Sequence, residues 1–371
     1  MKRILDSSVS PQSPGPSEKP KQNLLATISS LSNEYRNVKE TAPCSESVLQ
    51  ATSLFQLDNH NFRLNSEDQN EDTDLKEELR LSFLRCKKNP GHKKFIPTDC
   101  FTLNHLPETL QNADIYDLIK NISNLTVQVI VRYVSHCRPN FWPRTTRPFP
   151  FYQMIGSSCL RAASGFINEI YKCTNRKCPC QSCQHSDTPS TEYWGILLNT
   201  ATHVVFDEME ARRTSIILYY DSEETPGISL NNITCVHAST ETDLCQLKCV
   251  TCDKNLGDKL YQDWKKFYFS WDEVHNKYRE SRDVEKACFI VSHPHGCSKQ
   301  ISFGKWYEKI MCNNDYNCRF TYRTATCPGT SGAIVCVLGY GSEFWNQIPH
   351  AGTTPTSRLN FSGEGEIWSD A

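Results

Sequence analysis

Residues 193–206, YWGILLNTATHVVF, combine a run of branched, aromatic and aliphatic residues with a histidine near its end. Such a stretch is typical of a buried β-strand, because these side chains pack well on a pleated surface. Gly, Pro, Asn and Asp separate similar segments from residue 125 onward. These segments are 125–134, 161–171, 214–220, 286–294, 299–304, 318–324 and 332–340. Residues 125–371 are therefore predicted to form an all-β domain, a sandwich or a barrel.

The first 104 residues differ in composition from the rest of the chain. Runs such as SPQSPGPSEKPKQ (residues 10–22) and NSEDQNEDTD (residues 65–74) are polar and rich in proline or charge. They offer too little apolar surface to offset the conformational entropy of an ordered chain. Residues 1–104 are therefore predicted to be a disordered leader. Within it, residues 72–88 have the apolar spacing of one amphipathic helix, docked or free.

Two further segments do not fit the strand pattern. Residues 105–124 are predicted to form a helical connector, in which Pro107 suits the first turn of a helix. Residues 263–282 carry too many charged and aromatic residues for a series of hairpins. We expect a helical or irregular insertion there.

The overall composition limits the classes of function. The chain has 371 residues, a net charge of -2 and a mean hydropathy of -0.54. This balance of charge gives no general attraction to phosphate backbones, and no window has the roughly 18–20 apolar residues that cross a bilayer. We therefore expect a soluble protein whose partners are neither nucleic acids nor membranes.

The 19 cysteines are compatible with either disulfides or reduced thiols, and the cellular compartment decides between them. The first twenty residues begin with basic residues but lack the apolar segment of a secretory signal. We therefore expect an intracellular, cytoplasmic protein whose cysteines are mostly reduced.

Residues 327–339, CPGTSGAIVCVLG, place Ser331 beside glycines and directly before an apolar strand. A tight turn there can expose the Ser331 hydroxyl and direct the N–H groups of Gly329 and Ser331 toward one point. Such N–H groups can stabilise the oxyanion of a tetrahedral intermediate. Glycine and serine are also common in ordinary turns, so this segment alone leaves a plain turn open.

A serine hydroxyl becomes a strong nucleophile when a base takes its proton, so a catalytic Ser331 requires a histidine held by a carboxylate. His203 lies at the end of the 193–206 strand pattern, and Asp243 precedes a short predicted strand in TETDLCQLKC, residues 240–249. Taken separately, His203 is equally compatible with a rim histidine and Asp243 with a turn residue.

Together, the segments TATHVV, TDLCQLK and GTSGA resemble, in order, the TAAH-like, DIALL-like and GDSG-like segments of chymotrypsin/trypsin-like serine peptidases. The resemblance covers about residues 125–365. It implies two six-stranded antiparallel β-barrels with the active site in the cleft between them. It also implies a catalytic triad of His203, Asp243 and Ser331 and an oxyanion hole at Gly329 and Ser331.

Other segments are similar to the bacterial-type, protease-Do-like and glutamyl endopeptidase branches of this family, the PA clan. Residues 289–305, FIVSHPHGCSKQISFGK, resemble a strand, turn and returning strand of the second barrel, and RAASGFI, residues 161–167, resembles the strand before the histidine segment. Thr330 stands where the digestive enzymes have Asp, and their mature Ile-Val-Gly-Gly terminus is missing. Activation by a freed amino terminus is therefore not expected.

Two positions bear on specificity. Ala325, six residues before Ser331, supplies no acidic base for an Arg or Lys side chain. The segment IPHAG, residues 348–352, is similar to the histidine-containing strand of glutamyl endopeptidases, which makes His350 a candidate receptor for a Glu side chain. A loop histidine beside Pro349 is the alternative.

The cysteine-rich segment CTNRKCPCQSC contains a candidate structural zinc site at Cys173, Cys178, Cys180 and Cys183. A second pair for such a site is available at residues 249 and 252. A redox-sensitive patch and plain exposed thiols remain the alternatives. The segment HPHG, residues 293–296, contains two histidines that could bind a metal. A hairpin turn is predicted there instead, because Pro294 lies between two strand patterns.

The sequence therefore predicts a serine endopeptidase that acts on proteins or peptides and needs no cofactor for catalysis. The main alternative is a catalytically silent domain of the same fold that binds proteins through the leader and the cysteine-rich loop. A zinc-dependent interaction protein is the third possibility. The partner of the leader is not specified by the sequence.

Overall fold

Two antiparallel sheets account for most of the regular structure in the computed structural model, which describes residues 71–312, 317–340, 348–354 and 357–366. The predicted leader up to residue 70 lies outside the described residues. Strands of the first sheet are β2 (Thr126–Tyr133), β3 (Ser158–Thr174), β4 (Glu192–Ala201), β5 (Thr214–Leu218), β6 (Ile228–Leu230), β7 (Thr234–Ser239) and β8 (Leu244–Thr251). Strands of the second are β1 (Phe95–Pro97), β9 (Ala287–Ser292), β10 (Gln300–Met311), β11 (Asn317–Tyr322), β12 (Val335–Val337), β13 (His350–Thr353), β14 (Asn360–Ser362) and β15 (Gly365–Glu366).

The first sheet is a six-stranded barrel with one interrupted strand. Its order is β6-β5-β2-β3-β4-β8-β7, so β6 and β7 stand at opposite ends. Only residues 231–233 separate these two strands, and a link of that length spans at most about 14 Å. The chain therefore brings the two ends of the sheet together, and β6 with β7 acts as one strand.

The second sheet repeats this order with different strands. The path β12-β9-β10-β11-β14-β13 is joined at its ends by an antiparallel bridge between Ile334 and Pro349. Beside that bridge, Val335 N donates to Ile348 O at 2.9 Å and His350 N donates to Ala333 O at 2.7 Å. The short strands β1 and β15 add to β10 and β11 outside this ring. The predicted all-β fold with two six-stranded antiparallel barrels is thus confirmed.

Side chains alternate between the interior and the exterior of each barrel along the strands, and the interior ones form the two cores. In β8 every second residue is buried, from Cys245 to Thr251, as expected for a strand with one face in a core. The second barrel encloses a cluster that includes Ile290, Trp306, Phe320, Tyr322 and Val335. Residues 293–296, predicted to be a hairpin turn, lie in the connection 293–299 between the paired strands β9 and β10.

Helices join and flank the strands of the two barrels. They are α1 (Glu71–Leu84), α2 (Ala113–Leu125), α3 (Gln181–Gln184), α4 (Glu208–Ala211), α5 (Lys254–Tyr278) and α6 (Arg282–Glu285). Short 3-10 helices occupy Pro90–His92, Leu103–His105, Glu108–Leu110, Tyr152–Met154 and Pro294–Gly296. Among the described residues, no helix has both the length and the apolar character to cross a membrane. Within the predicted helical connector at 105–124, Pro107 precedes a 3-10 helix and α2 begins only at Ala113. The predicted insertion at 263–282 overlaps α5, which begins nine residues earlier, at Lys254.

The long helix α5 follows the first barrel and packs against its outside. It begins at the cap Asp253, whose side chain accepts from Leu256 N. Trp264 Nε1 donates to Asn168 O at 2.8 Å, and the Phe166 and Phe267 rings lie 5.0 Å apart. This helix links the first barrel to the second along the chain.

Residues 71–104 differ from the predicted leader. The helix α1 docks through Leu79, which is buried with Ile130 and Leu160, and β1 pairs with β10. The boundary at residue 104 was therefore drawn too late in the chain. The reason is physical: only a few apolar residues of this polar segment are buried, and they are covered by surfaces far away in sequence.

Candidate active site

The strand pairing of the first barrel brings His203 and Asp243 together. In the β4–β8 ladder Ala201 is opposite Leu244, so the residues that follow β4 lie beside those that precede β8. His203 Nδ1 is 2.8 Å from Asp243 Oδ2, and His203 N donates to Asp243 Oδ1 at 3.0 Å. Both carboxylate oxygens therefore hold the histidine, one by its ring and one by its main chain.

A buried ion network supports the turn that carries His203. Arg138 contacts both carboxylate oxygens of Glu210 at 2.5 and 2.7 Å, and Arg161 contacts one of them at 2.9 Å. Arg138 also donates to His203 O at 3.1 Å, and both arginines donate to Val204 O. Burial alone would raise the pKa of Glu210, but the two guanidinium groups hold it below its usual value. No local sequence pattern indicates this network.

Ser331 lies on a turn that rests against the first barrel. Gly332 has a φ of +85°, and a side chain there would overlap Thr200 Oγ1 and the Ser164 carbonyl. Ser164 N donates to Ser331 O at 2.9 Å, and Ser164 Oγ donates to Gly329 O at 2.7 Å. Since Thr200 is three residues before His203, these contacts place the Ser331 turn next to the histidine turn.

Gly329, the predicted oxyanion residue, packs against the turn between β9 and β10. Its φ of +90° favours glycine, and a side chain would overlap His293 O. Among the described residues, the N–H groups of Gly329 and Ser331 donate to no backbone carbonyl. The Pro328 carbonyl accepts from His295 N on the same turn.

The candidate nucleophile and base are buried and are not hydrogen-bonded to each other. Ser331 is 5 % exposed and His203 is 1 % exposed. Within the described part of the chain, neither Ser331 Oγ nor His203 Nε2 has a hydrogen-bond partner. In sites without substrate, the contact between nucleophile and base is often long and shortens when substrate binds.

A short hairpin at residues 141–148 lies over the histidine. Phe141 and Pro148 form an isolated bridge, and Trp142 N donates to Arg147 O at 2.9 Å. The Trp142 and His203 rings are 6.5 Å apart. Burial lowers the pKa of Arg147 to about 10, and the attraction of Asp243 opposes this shift. The hairpin therefore brings an aromatic ring near His203 and a guanidinium group within electrostatic range of Asp243.

His350 lies on β13 in the interior of the second barrel. It is fully buried, and Tyr322 Oη lies 2.5 Å from its Nδ1. Burial, with the charges of Lys88 and His203, holds the pKa of His350 well below its ordinary value. In the described residues, His350 Nε2 has no hydrogen-bond partner. A neutral imidazole with one buried nitrogen directed at no protein group can bind a polar group from outside the chain.

Lys88 contributes a positive charge close to this histidine. Its Nζ donates to Thr326 Oγ1 at 2.9 Å, to Thr353 Oγ1 at 2.7 Å and to Asn360 Oδ1 at 3.4 Å. Thr326 is five residues before Ser331. Ala325 is buried in an apolar cluster and offers no charge. Lys88 lies in the segment predicted to be a leader, because no local pattern connects it with residues more than 200 positions away.

The cysteine-rich loop forms a compact set of thiols with a different fourth member from the one predicted. One sulfur from each of four cysteines lies within 4.8 Å of the others, and we call this set, Cys178, Cys180, Cys183 and Cys252, the four-cysteine cluster. Cys173 is not part of it, because it pairs with Tyr193 in the ladder of β3 and β4. Cys249 points into the core of the first barrel. None of the cysteines in the described ranges is in a disulfide.

Comparisons with known proteins found solved structures of proteases at low identity. No family model matches the chain, and a search of curated proteins found no match. Among solved structures, the chain is similar to the HtrA-type protease AlgW with a tripeptide (12 % identity, TM-score 0.34, 67 % of this chain and 58 % of that one). It is also similar to AlgW with a decapeptide (14 % identity, TM-score 0.36, 67 % of this chain and 63 % of that one). A third similar structure is the inactive form of Rv3671c protease (10 % identity, TM-score 0.33, 70 % of this chain and 90 % of that one). The chain thus spans about three fifths of the length of the AlgW structures.

Proposed function

We propose that the protein is a serine endopeptidase in which His203, Asp243 and Ser331 form the catalytic triad. The main support is the pair of hydrogen bonds from His203 to Asp243, which fixes the imidazole with Nδ1 protonated toward the carboxylate. Nε2 is then the nitrogen that can take a proton. The close approach of Gly332, next to Ser331, to Thr200, three residues before His203, is a second observation in support.

In this proposal, Ser331 Oγ attacks the carbonyl carbon of a peptide bond while His203 Nε2 takes its proton. The imidazolium then gives that proton to the leaving amine, and water repeats the sequence on the acyl-enzyme. Asp243 stabilises the charged imidazole. The N–H groups of Gly329 and Ser331 stabilise the oxyanion. Substrate binding has to shorten the distance between Ser331 and His203 to about 2.6–3.2 Å.

We further propose that the enzyme prefers an acidic side chain before the scissile bond. In the tautomer that carries its hydrogen on Nε2, neutral His350 accepts a hydrogen bond from the Tyr322 hydroxyl at Nδ1 and can donate Nε2–H to a carboxylate. Lys88 then supplies the positive charge that a buried carboxylate requires. An acidic substrate side chain thus satisfies the buried Nε2 of His350 and lies close to the charge of the exposed Lys88.

One observation favours the alternative of a catalytically silent binding domain. The Ser331 hydroxyl and His203 Nε2 are not hydrogen-bonded to each other, so the resting geometry is not that of an active pair. In this alternative the same cleft binds a peptide without cleaving it. Labelling by an active-site probe distinguishes the two functions.

We also propose that the four-cysteine cluster binds a structural zinc ion. Its Cys252 sulfur lies 3.6 Å from Cys180 Sγ and 3.7 Å from Cys183 Sγ. Zinc–sulfur bonds of about 2.3 Å give a tetrahedral edge of about 3.8 Å, close to these distances. Thiolate ligands agree with the expected reducing, intracellular location.

The first experiment tests the nucleophile. A fluorophosphonate probe should label the wild-type protein and the variant Ser123→Ala, which removes a buried hydroxyl outside the cleft. Ser331→Ala should lose labelling completely and lose at least about 10⁴-fold in kcat/KM, with an unchanged melting temperature. Equal labelling of Ser331→Ala would reject the nucleophile, and no labelling of the wild type would favour the silent domain.

The second experiment tests specificity with matched peptides that carry Glu or Gln before the scissile bond. Lys88→Ala should lower the Glu/Gln ratio of kcat/KM about tenfold, which corresponds to about 1.4 kcal/mol. Lys87→Ala is the control, because it removes an exposed lysine next to Lys88. An unchanged ratio in Lys88→Ala, or a wild type without preference for Glu, would reject the acidic pocket and leave the triad untouched.

A further inference from the structure

A second cluster of metal-binding side chains lies at the base of the loop that carries Ser331. One ligand atom from each of four residues lies within 4.8 Å of the others, and we call this set, Cys86, His92, His295 and Cys327, the mixed cluster. Two of its members lie in the segment after α1, one in the turn after β9, and one four residues before Ser331. The mixed cluster thus joins three parts of the chain that are distant in sequence.

The distances between the ligand atoms fit a tetrahedral zinc ion. Cys86 Sγ is 3.6 Å from Cys327 Sγ, and Cys327 Sγ is 3.4 Å from His92 Nε2. Zinc bonds of about 2.3 Å to sulfur and 2.0–2.1 Å to nitrogen predict edges of about 3.8 Å for S–S and 3.6 Å for S–N. A disulfide would need the two sulfurs at about 2.05 Å.

Hydrogen bonds around the mixed cluster orient its ligands as second-sphere contacts do in metal sites. Asn89 N donates to Cys86 Sγ at 3.3 Å, and Asn89 Nδ2 donates to Cys327 Sγ at 3.1 Å. Such donors stabilise sulfur that carries negative charge. Ser82 Oγ pairs with His295 Nδ1 at 2.9 Å, which assigns Nε2 of His295 to the metal.

Burial and charge agree with the same ion. The four residues are between 0 % and 9 % exposed. Two thiolates offset the charge of a divalent cation, so the occupied cluster is neutral and can be buried at low cost, whereas two unpaired thiolates could not be. The neutral S₂N₂ donor set is one that zinc commonly takes in structural sites.

The backbone at both histidines is held in an unusual conformation. His92 has a φ of +48° and His295 a φ of +56°, in the left-handed region that costs free energy for residues other than glycine. The Phe83 ring stacks on His92 with 3.7 Å between centroids. Strained backbone conformations persist where contacts with the surroundings offset their free-energy cost. A metal ion bound by both histidines would offset this cost at His92 and His295.

We propose that the mixed cluster binds one zinc ion, which fastens residues 86–92 to the loop that carries Ser331. The ion replaces one proton on each thiol, so two protons are released on binding. Residues 86–92 include Lys88, whose Nζ contacts Thr326 on the same loop. The zinc ion therefore fixes the Ser331 loop at Cys327 and keeps Lys88 close to His350.

Metal content of the full-length protein, purified without chelator, tests this site independently of peptidase activity. Mass spectrometry of metals should find two zinc ions per wild-type chain. Cys327→Ser and His92→Ala should each retain one, and Cys252→Ser should retain the other. Cys100→Ser and His237→Ala are matched controls, because both residues are exposed and belong to neither cluster. Both controls should retain two.

Substitution with cobalt(II) identifies which cluster has been emptied and keeps the test valid if a variant is unstable. Thiolate-to-cobalt charge-transfer absorption increases with the number of thiolates, so Cys252→Ser should retain the weaker, two-thiolate spectrum. Cys327→Ser should retain the four-thiolate spectrum.

Three results would overturn the site. One is a single zinc ion in the wild type that Cys252→Ser removes completely. Another is an unchanged metal content in His92→Ala. The third is recovery of Cys86 and Cys327 as a disulfide from unreduced protein. Loss of zinc from Cys327→Ser together with persistent probe labelling would support the site while separating it from catalysis.

Discussion

The two barrels share one strand order but hold their candidate catalytic residues by different means. In the first barrel, His203 is held by Asp243 and by a buried ion network, all within one barrel. In the second, Ser331 lies on a turn whose supports include Ser164 of the first barrel and, in our proposal, a zinc ion shared with residues 86–92. One half of the site is self-contained, and the other is assembled from distant parts of the chain. The second half is therefore the more sensitive to changes made elsewhere.

Removing Glu210 should have the largest effect on the first barrel. Glu210→Ala leaves Arg138 and Arg161 buried without their carboxylate, and breaking a buried pair in this way costs about 3–5 kcal/mol. Denaturant unfolding monitored by circular dichroism measures the loss. Asp258→Ala removes an exposed ion pair with Lys254 and should cost less than about 1 kcal/mol. Equal effects of the two substitutions would contradict a self-contained support for His203.

A side chain at Gly329 tests the second barrel. Gly329→Ala adds the cost of a left-handed backbone and an overlap with His293 O, together about 2–4 kcal/mol. Gly91→Ala is the matched control: it has a φ of +68° and no atom near its new methyl group, so only about 1–2 kcal/mol is expected. Activity should fall in Gly329→Ala far more than its stability predicts. A larger loss of stability in Gly91→Ala would rule out this packing.

The pH dependence of stability should reveal the burial of His350. Because its folded-state pKa lies well below the unfolded value near 6.5, the unfolded chain takes up the proton first as the pH falls. The contribution of neutral His350 is thus complete above about pH 6.5 and decreases below it, by at most about 1.4 kcal/mol per pH unit. His350→Gln should flatten the unfolding free energy between about pH 6.5 and 5 more than His237→Gln, which replaces an exposed histidine. The same slope in both variants would contradict a buried, neutral His350.

Sequence patterns predicted those parts of the candidate site that have a signature within a few consecutive residues. The strand before His203, the turn before β8 and the glycine-flanked Ser331 all have short signatures, and the β4–β8 pairing then brings the first two together. The predicted helix at residues 72–88 matches α1, because apolar spacing is a local property. The fold class could be predicted for the same reason.

The remaining parts depend on contacts that no local pattern contains. Cys252 takes the place predicted for Cys173 in the four-cysteine cluster. The strand β8 buries Cys249 in the first barrel and ends just before Cys252, which leaves Cys252 outside the strand. Lys88 and His92 lie in a segment predicted to be disordered, and only the second barrel gives them partners. His295 was interpreted as a turn residue, which it is, and the turn gives no indication of the sulfur atoms beside it.

The candidate base and nucleophile are both shielded from solvent, and the hairpin at residues 141–148 is one of the segments beside the base. The Trp142 ring lies 6.5 Å from the His203 ring, and His203 and Ser331 are only 1 % and 5 % exposed. In the proposed enzyme, a polypeptide substrate therefore has to displace some of the surrounding chain before it reaches the two side chains.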